Sequence, residues 1–382
     1  MKIFRKLLLL AAALLCPALT AAPDTARLNR LFGIEIFDAA GKWDTAGFLS
    51  RTKLRFTGGS GRFAARLNRQ IAGAQATEMI LFTDREGKNA ERISITFSNK
   101  GDTAERSSSR IRNDGRTLLD RLTRELGRSR RDREMIGSVS TRAEIWDLPS
   151  AKVCLETEKK EFVMLHIIPV TANVPAEKTA RPVKDLSGNV RRNDFGDVFI
   201  PNVPMVDQGA KGYCVPATME RIFLYYGIRC DMHHLAESGK SDRKSGTNVN
   251  VMLRDIAGFR RKAGLKFQQF GELSVREISR HIDRGNPVMW LMFSTGELNE
   301  VYRFSAANRG KSASPDEWRR RLKRVSVHGG SDGAHACLII GYNRITDEIA
   351  VSNSWGQGWA IRWIPVKVAR KLSQGALMVF SP

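Results

Sequence analysis

Acidic residues are scarce relative to basic ones: 40 Asp and Glu stand against 62 Lys and Arg among 382 residues, for a formal charge of +22. That sign rules out an acidic solvating chain, and the 42% hydrophobic content rules out a disordered one. A surface this basic favours anionic partners. Arg128, Arg130, Arg131 and Arg133 form one cluster, and Arg319, Arg320, Arg321, Lys323 and Arg324 form another, but no nucleic-acid motif accompanies either. The expected reading is a solvated basic face, with an anionic envelope polymer or lipid surface as the partner it suits and no specific nucleic acid. Histidines number six, and none has metal-ligand spacing with cysteine or acid partners, so neither a metal nor a cofactor is expected. No repeat of fixed period is present, which excludes a solenoid or propeller. Beyond the first 22 residues no apolar run reaches the roughly 20 residues needed to cross a bilayer.

Those first residues have a distinct pattern. Lys2, Arg5 and Lys6 precede an apolar run from Leu7 to Leu15, and the small residues Ala18, Thr20, Ala21 and Ala22 follow. This reads as an export signal over residues 1–22, cleaved before Pro23, and it implies a periplasmic or extracellular destination. Its removal takes the formal charge from +22 to +19, since three basic residues leave with it. Leu15 before Cys16 argues against a lipoprotein, whose signal wants a small residue there.

Cysteine is also sparse, and its placement matters. After the signal, Cys154, Cys214, Cys230 and Cys337 remain, enough for two disulfides in an exported chain. Cys214 and Cys230 flank an expected helix of about twelve residues, roughly 18 Å long, whereas bridged Cα atoms lie within about 7 Å. These two therefore do not pair, and a bridge from Cys154 to Cys230 or Cys337 stays open.

The length suits two domains. Residues 23–170 mix strand patterns (Met79 to Thr83; Ile93, Ile95 and Phe97; Phe162 to Ile168) with a helix over Thr117 to Leu126 stopped by Gly127, so this part is a smaller α+β domain. Residues 171–199, with Pro175 and Pro182 among many charges, read as a linker. From residue 200 to 382, helices come first: Pro216 to Tyr226, Asn248 to Ala263, and Ser274 to Arg284 with a Ser274–Glu277 capping box. Strands follow at Val288 to Phe293, Ala336 to Tyr342, Ile349 to Ser352, Ala360 to Ile364 and Ala376 to Phe380, again an α+β order.

Three stretches carry chemistry. In Val206-Asp-Gln-Gly-Ala-Lys-Gly-Tyr-Cys214-Val-Pro216, a cysteine stands at the start of a helix, where free N–H groups and the helix dipole favour the nucleophilic thiolate and an adjacent imidazolium would favour it further. Alone, such a cysteine is more often buried and inert. Gln208 lies six residues earlier across Gly209 and Gly212, so its loop can aim an amide N–H at a developing oxyanion, with the Cys214 N–H as second donor. His335 stands at the mouth of an otherwise apolar strand, as a base facing a helix N-terminus would. Asn353 ends the next strand in Val351-Ser-Asn-Ser-Trp-Gly-Gln-Gly358, and antiparallel pairing can bring its oxygen to the imidazole, with Trp355 shielding the contact.

In this order, Gln-Gly-x-x-Gly-x-Cys, Gly-x-His-Ala before Gly-Tyr-Asn, and Asn-Ser-Trp-Gly resemble the papain-like cysteine peptidases over about residues 200–380. Tyr-Tyr-Gly-Ile and Arg-Gly-Asn-Pro-Val are similar to the bacterial branch related to bacteriocin-leader peptidases. The resemblance implies a helical subdomain facing a twisted antiparallel sheet, with Cys214 as nucleophile, His335 as base, Asn353 as orienter and Gln208 in the oxyanion hole. The implied activity is hydrolysis of peptide bonds in a peptide or protein substrate. The same residues would serve a cell-wall amidase, isopeptidase or transpeptidase; a non-catalytic binding module would have no physical need to keep all four. Lys211 stands where plant and lysosomal relatives have a disulfide cysteine, and residues 23–170 lack their helical inhibitory propeptide pattern. Residues 294–332 read as an insertion beside the active site, with Ser314 to Glu317 capping a short basic helix. His328, in a Gly-flanked loop, is the rival base, while His166, His233, His234 and His281 are weak candidates.

Overall fold

The structure, a computed structural model, describes residues 23–43, 45–59, 61–84, 87–101, 107–136, 139–158, 160–170, 185–241 and 245–382. The expected export signal and residues 171–184 of the expected linker lie outside these.

Two antiparallel sheets with flanking helices carry the α+β architecture. The first sheet holds β1 (Thr57–Gly59), β2 (Arg62–Ile71), β3 (Ala74–Thr83), β4 (Ala90–Asn99), β5 (Arg130–Ile136), β6 (Val139–Asp147), β7 (Ala151–Glu158) and β8 (Phe162–Pro169), in the order β1-β2-β3-β4-β8-β7-β6-β5. Helices α1 (Pro23–Phe32), α2 (Thr45–Arg51) and α3 (Ser107–Leu126) accompany it. Strand alternation sorts its residues by face. Ile93, Ile95 and Phe97 of β4, with Val163, Leu165 and Ile167 of β8, share a core with Ile111, Leu118 and Leu122 of α3. The alternate positions Ser94, Thr96, Ser98, Glu156 and His166 are polar, yet they too are buried.

What covers that polar face is the second half of the chain. Its sheet comprises β9 (Arg191–Arg192), β10 (Asp197–Phe199), β11 (Lys266–Phe270), β12 (Val288–Ser294), β13 (Gly333–Asn343), β14 (Glu348–Ser352), β15 (Arg362–Pro365) and β16 (Ser373–Ser381). The order is β11-β16-β12-β13-β10-β9, with β14 bridging β13 and β15. The helices are α4 (Cys214–Tyr225), α5 (Met232–Ser238), α6 (Val249–Asp255), α7 (Ala257–Lys262), α8 (Val275–Ile282), α9 (Gly296–Asn308), α10 (Pro315–Leu322) and α11 (Val366–Leu372). α4 is buried almost all round, from Val215 to Phe223, as a central helix must be.

Polar pairs join the two halves. Arg62 of β2 meets Glu220 of α4 at 2.8 Å with both side chains buried, and Glu156 of β7 meets His234 of α5 at 2.9 Å. Arg229 pairs with Glu91, and Phe162 packs edge-on to His234. Gly101, after β4, lies so close to the loop before α4 that a Cβ there would come within 2.8 Å of the Tyr213 ring.

Several sequence expectations need correction. The linker was expected to run to residue 199, but β9 and β10 already belong to the second sheet, with Asp197 opposite Asn343. Tertiary contacts hold these short polar strands where no periodicity announces them: Asn343 Nδ2 donates to Asp197 Oδ1 at 2.7 Å and to the Phe195 carbonyl at 2.9 Å. Gly341 admits β10, since a Cβ would fall 2.6 Å from that of Phe199. The single helix expected over Asn248 to Ala263 is two, interrupted at Ile256. Ser274 caps α8 through the Glu277 N–H, but the Glu277 carboxylate turns to Arg280, so the box is half made. No disulfide joins any two of the four described cysteines, which answers the open question over Cys154, Cys230 and Cys337. Residues 294–332, expected as a loop with one short helix, hold α9 as well as α10.

Candidate active site

Cys214 opens α4, where Pro216 fits the first turn because its missing N–H would be unpaired there anyway. No side chain caps this helix, so its first N–H groups remain available. The backbone N–H groups of Ala336, Val215 and Cys214 itself favour the charged sulfur. Thr218, one turn on, donates to the Ala336 carbonyl at 3.2 Å and so fixes α4 across β13. The expected thiolate does not result. Burial pushes the Cys214 thiol above its ordinary value, and the N–H groups offset this only in part. No hydrogen bond joins Cys214 to His335.

His335 sits third in β13, opposite Met292 of β12. On the other edge, Leu338 pairs with Ser352 of β14; continued past the end of β14, that register puts Trp355 level with His335 and Asn353 on the diagonal. His335 Nε2 lies 3.0 Å from Asn353 Oδ1. An amide oxygen only accepts, so Nε2 carries the hydrogen and Nδ1 keeps its lone pair. Trp355 stacks on the imidazole with ring centroids 4.5 Å apart. Burial pushes the His335 imidazole down to about 4, against the opposing effect of Asn353. It is therefore neutral at physiological pH.

The loop before Cys214 is tied to the same strand end. Gln208 N–H donates to the Ser354 carbonyl at 2.9 Å, and Gln208 Nε2 donates to the Lys211 carbonyl at 3.1 Å, leaving its second amide hydrogen. Arg66 of β2 pairs with Asp207 at 3.1 Å.

Three positioning residues escaped the sequence reading. Arg221, fully buried two turns along α4, donates to the Pro204 carbonyl at 2.8 Å, to the Ser352 carbonyl at 3.1 Å and to the Ser352 hydroxyl. It binds α4, the Gln208 loop and the Asn353 strand together, and burial pushes it down to about 10. An arginine inside an otherwise apolar helix stripe was the available signal. Tyr302 of α9 buries its hydroxyl near Asn353, without a hydrogen-bond partner there, and burial pushes it up. Glu220 is the partner of Arg62; its signal, an acid on the buried side of a helix, was equally present.

The other histidines lie elsewhere. His328 is exposed and bonded to Glu297, and His281 stacks on Phe270. His233 pairs with Asp231, while His166 and His234 share Glu156. Among the described residues no group of three or more His, Cys, Asp or Glu is arranged to hold a metal ion.

With this geometry in place, comparison adds a class. Residues 200–374 match the model of the Peptidase_C39 like family, which supports a peptidase function and the papain-like resemblance for that stretch, a little under half of the chain. Among solved structures, a C39-like peptidase from Bacillus anthracis is similar at 12% identity and a TM-score of 0.32, covering 49% of this chain and 98% of its own. Xylellain, a cysteine protease from Xylella fastidiosa, is similar at 10% identity and a TM-score of 0.33, covering 53% and 91% respectively. No curated protein matches.

Proposed function

We propose that this protein is an exported cysteine peptidase, periplasmic or extracellular, that hydrolyses peptide bonds through Cys214, His335, Asn353 and Gln208. The observation that carries the reading is the His335 Nε2–Asn353 Oδ1 bond, which leaves Nδ1 unprotonated, while the N–H of the very next residue, Ala336, is among the groups that favour the Cys214 thiolate. The resting pair is neutral. As the sulfur attacks a substrate carbonyl carbon, Nδ1 takes the thiol proton, and the former carbonyl oxygen takes up the negative charge. The Cys214 N–H and the second amide hydrogen of Gln208 stabilise that oxyanion. The imidazolium then gives its proton to the leaving amine, the C–N bond breaks, and a thioester remains. Water, deprotonated by His335, releases the acid product and restores the thiol. The basic surface suits an anionic envelope polymer or lipid surface near the substrate.

Peptide-library digestion under reducing conditions tests this, with product masses separating hydrolysis from transfer to another amine. Cys214→Ala is expected to abolish cleavage while leaving the fold intact. Full turnover in that variant, or failure of a thiol-directed acylating probe to label wild-type Cys214, would sink the assignment.

A further inference from the structure

Beside the imidazole lies a pocket of about 450 Å³ that the chemistry above does not use. Asn299, Tyr302 and Arg303, on one face of α9, form one wall; Trp355, Trp359 and Arg362 form the other. Trp359 stands edge-on to both Trp355 and Tyr302, at 5.2 and 5.8 Å, so the apolar floor is rigid. Two guanidinium groups border it. Arg362 lies over Trp359 at 5.2 Å and donates to the Ile361 carbonyl, and Arg303 is exposed on α9. Neither has a carboxylate partner among the described residues. Arg309, by contrast, binds Asp197 and Glu348.

We infer that this pocket binds a carboxylate on the leaving side of the scissile bond, held by Arg303 and Arg362 above the tryptophan floor. This rests on the peptidase reading for its direction. Trp355 is shared between the pocket and the imidazole, and the imidazole protonates the leaving amine, so the fragment that departs is the one passing over Trp355. Guanidinium forks match a carboxylate with paired N–H donors, and the volume lies in the range of small-ligand sites. The carboxylate is either an Asp or Glu side chain or the terminal carboxylate of a short substrate.

Binding to full-length Cys214→Ala protein, followed by tryptophan fluorescence, tests the pocket without turnover. The probes are acetyl-Glu-Ala-amide, acetyl-Gln-Ala-amide and acetyl-Ala-Ala with a free terminus. One carboxylate peptide is expected to bind about tenfold more tightly than the Gln peptide, as charge-assisted hydrogen bonds require. Arg303→Gln and Arg362→Gln should each remove about fivefold of that preference, and Arg303→Glu should turn it toward a lysyl peptide. Tight binding of the Glu amide identifies a side chain, and tight binding of the free terminus identifies the chain end. Equal binding of Glu, Gln and free-terminus peptides overturns the inference, whether or not the wild type cleaves. Acid-selective binding without any cleavage by wild type would instead retain the pocket and refute the peptidase reading.

Discussion

Alkylating Cys214 with iodoacetamide across pH distinguishes a neutral thiol–imidazole pair from a preformed ion pair. The imidazole lies at about 4 and burial raises the thiol above its ordinary value, so moving the proton from sulfur to ring is uphill. Attraction between the two charges so formed returns only part of that cost. The pair therefore rests in its neutral form. Cys154, Cys230 and Cys337 are buried, so the reagent reads Cys214, and peptide mass confirms the site. The expected rate climbs with pH toward and beyond 9, with no shelf between about pH 5 and 8. A shelf in that range that disappears in His335→Ala would mean a stable thiolate–imidazolium pair and would refute the reasoning from burial.

Gln208→Ala is expected to lower kcat by about 10² with little change in KM, since it removes a donor that acts on the oxyanion; steady-state kinetics decide. Arg221→Met leaves buried carbonyls of Pro204 and Ser352 without a donor and should cost at least about 3 kcal/mol in urea unfolding. For His335, the folded value of about 4 lies below the ordinary 6.5, so its neutral form contributes stability that is present above 6.5 and lost as pH falls through 4. Wild type should therefore lose about 3 kcal/mol relative to His335→Gln over that window, and parallel unfolding curves would contradict it.

The candidate residues stood out in the sequence because each broke a local rule: a cysteine before a proline at a helix start, a histidine in an apolar strand, an asparagine where a strand should continue. The register arithmetic that sets Trp355 beside His335 and Asn353 on the diagonal was implicit in two strand patterns and one turn. What stayed hidden depends on distant parts of the chain. Ser94, Thr96, Glu156 and His166 follow the period of a strand with a wet face, and only the docking of α4 and α5 makes that face dry. β10 is too short to show a period, and α9 lacks a strong apolar stripe, although Thr295 caps it by accepting from the Leu298 N–H. The thiol's charge state was misjudged for the same reason: sequence shows the helix end but not the burial around it.

Arg62 ties these two themes together. Its Nε meets Glu220 Oε1, while Glu220 Oε2 accepts the Met232 N–H at 2.8 Å, and both side chains are buried. Burial pushes Glu220 up to about 7 even against Arg62, with Asp231 adding to the rise. Arg62→Met would leave that carboxylate facing Asp231 without its counter-charge, which costs about 3–5 kcal/mol for a buried pair. Because a raised carboxylate stabilises the fold below its unfolded value of 4.5 and loses that contribution as pH rises through the folded value, the damage should be greater near pH 8 than near pH 5.5. Adding Glu220→Gln, which retains an acceptor for Met232, should recover most of the loss in urea unfolding of the full chain. A cost under about 1 kcal/mol, or no recovery in the double variant, would show that the pair is not holding α4. The consequence reaches the nucleophile, because Glu220 lies on the helix that Cys214 begins. A segment whose departure switches a peptidase on would not carry the counter-charge of a buried acid on the nucleophile's own helix; removal of residues 23–170 is therefore expected to lower activity, and a gain on truncation would overturn that argument.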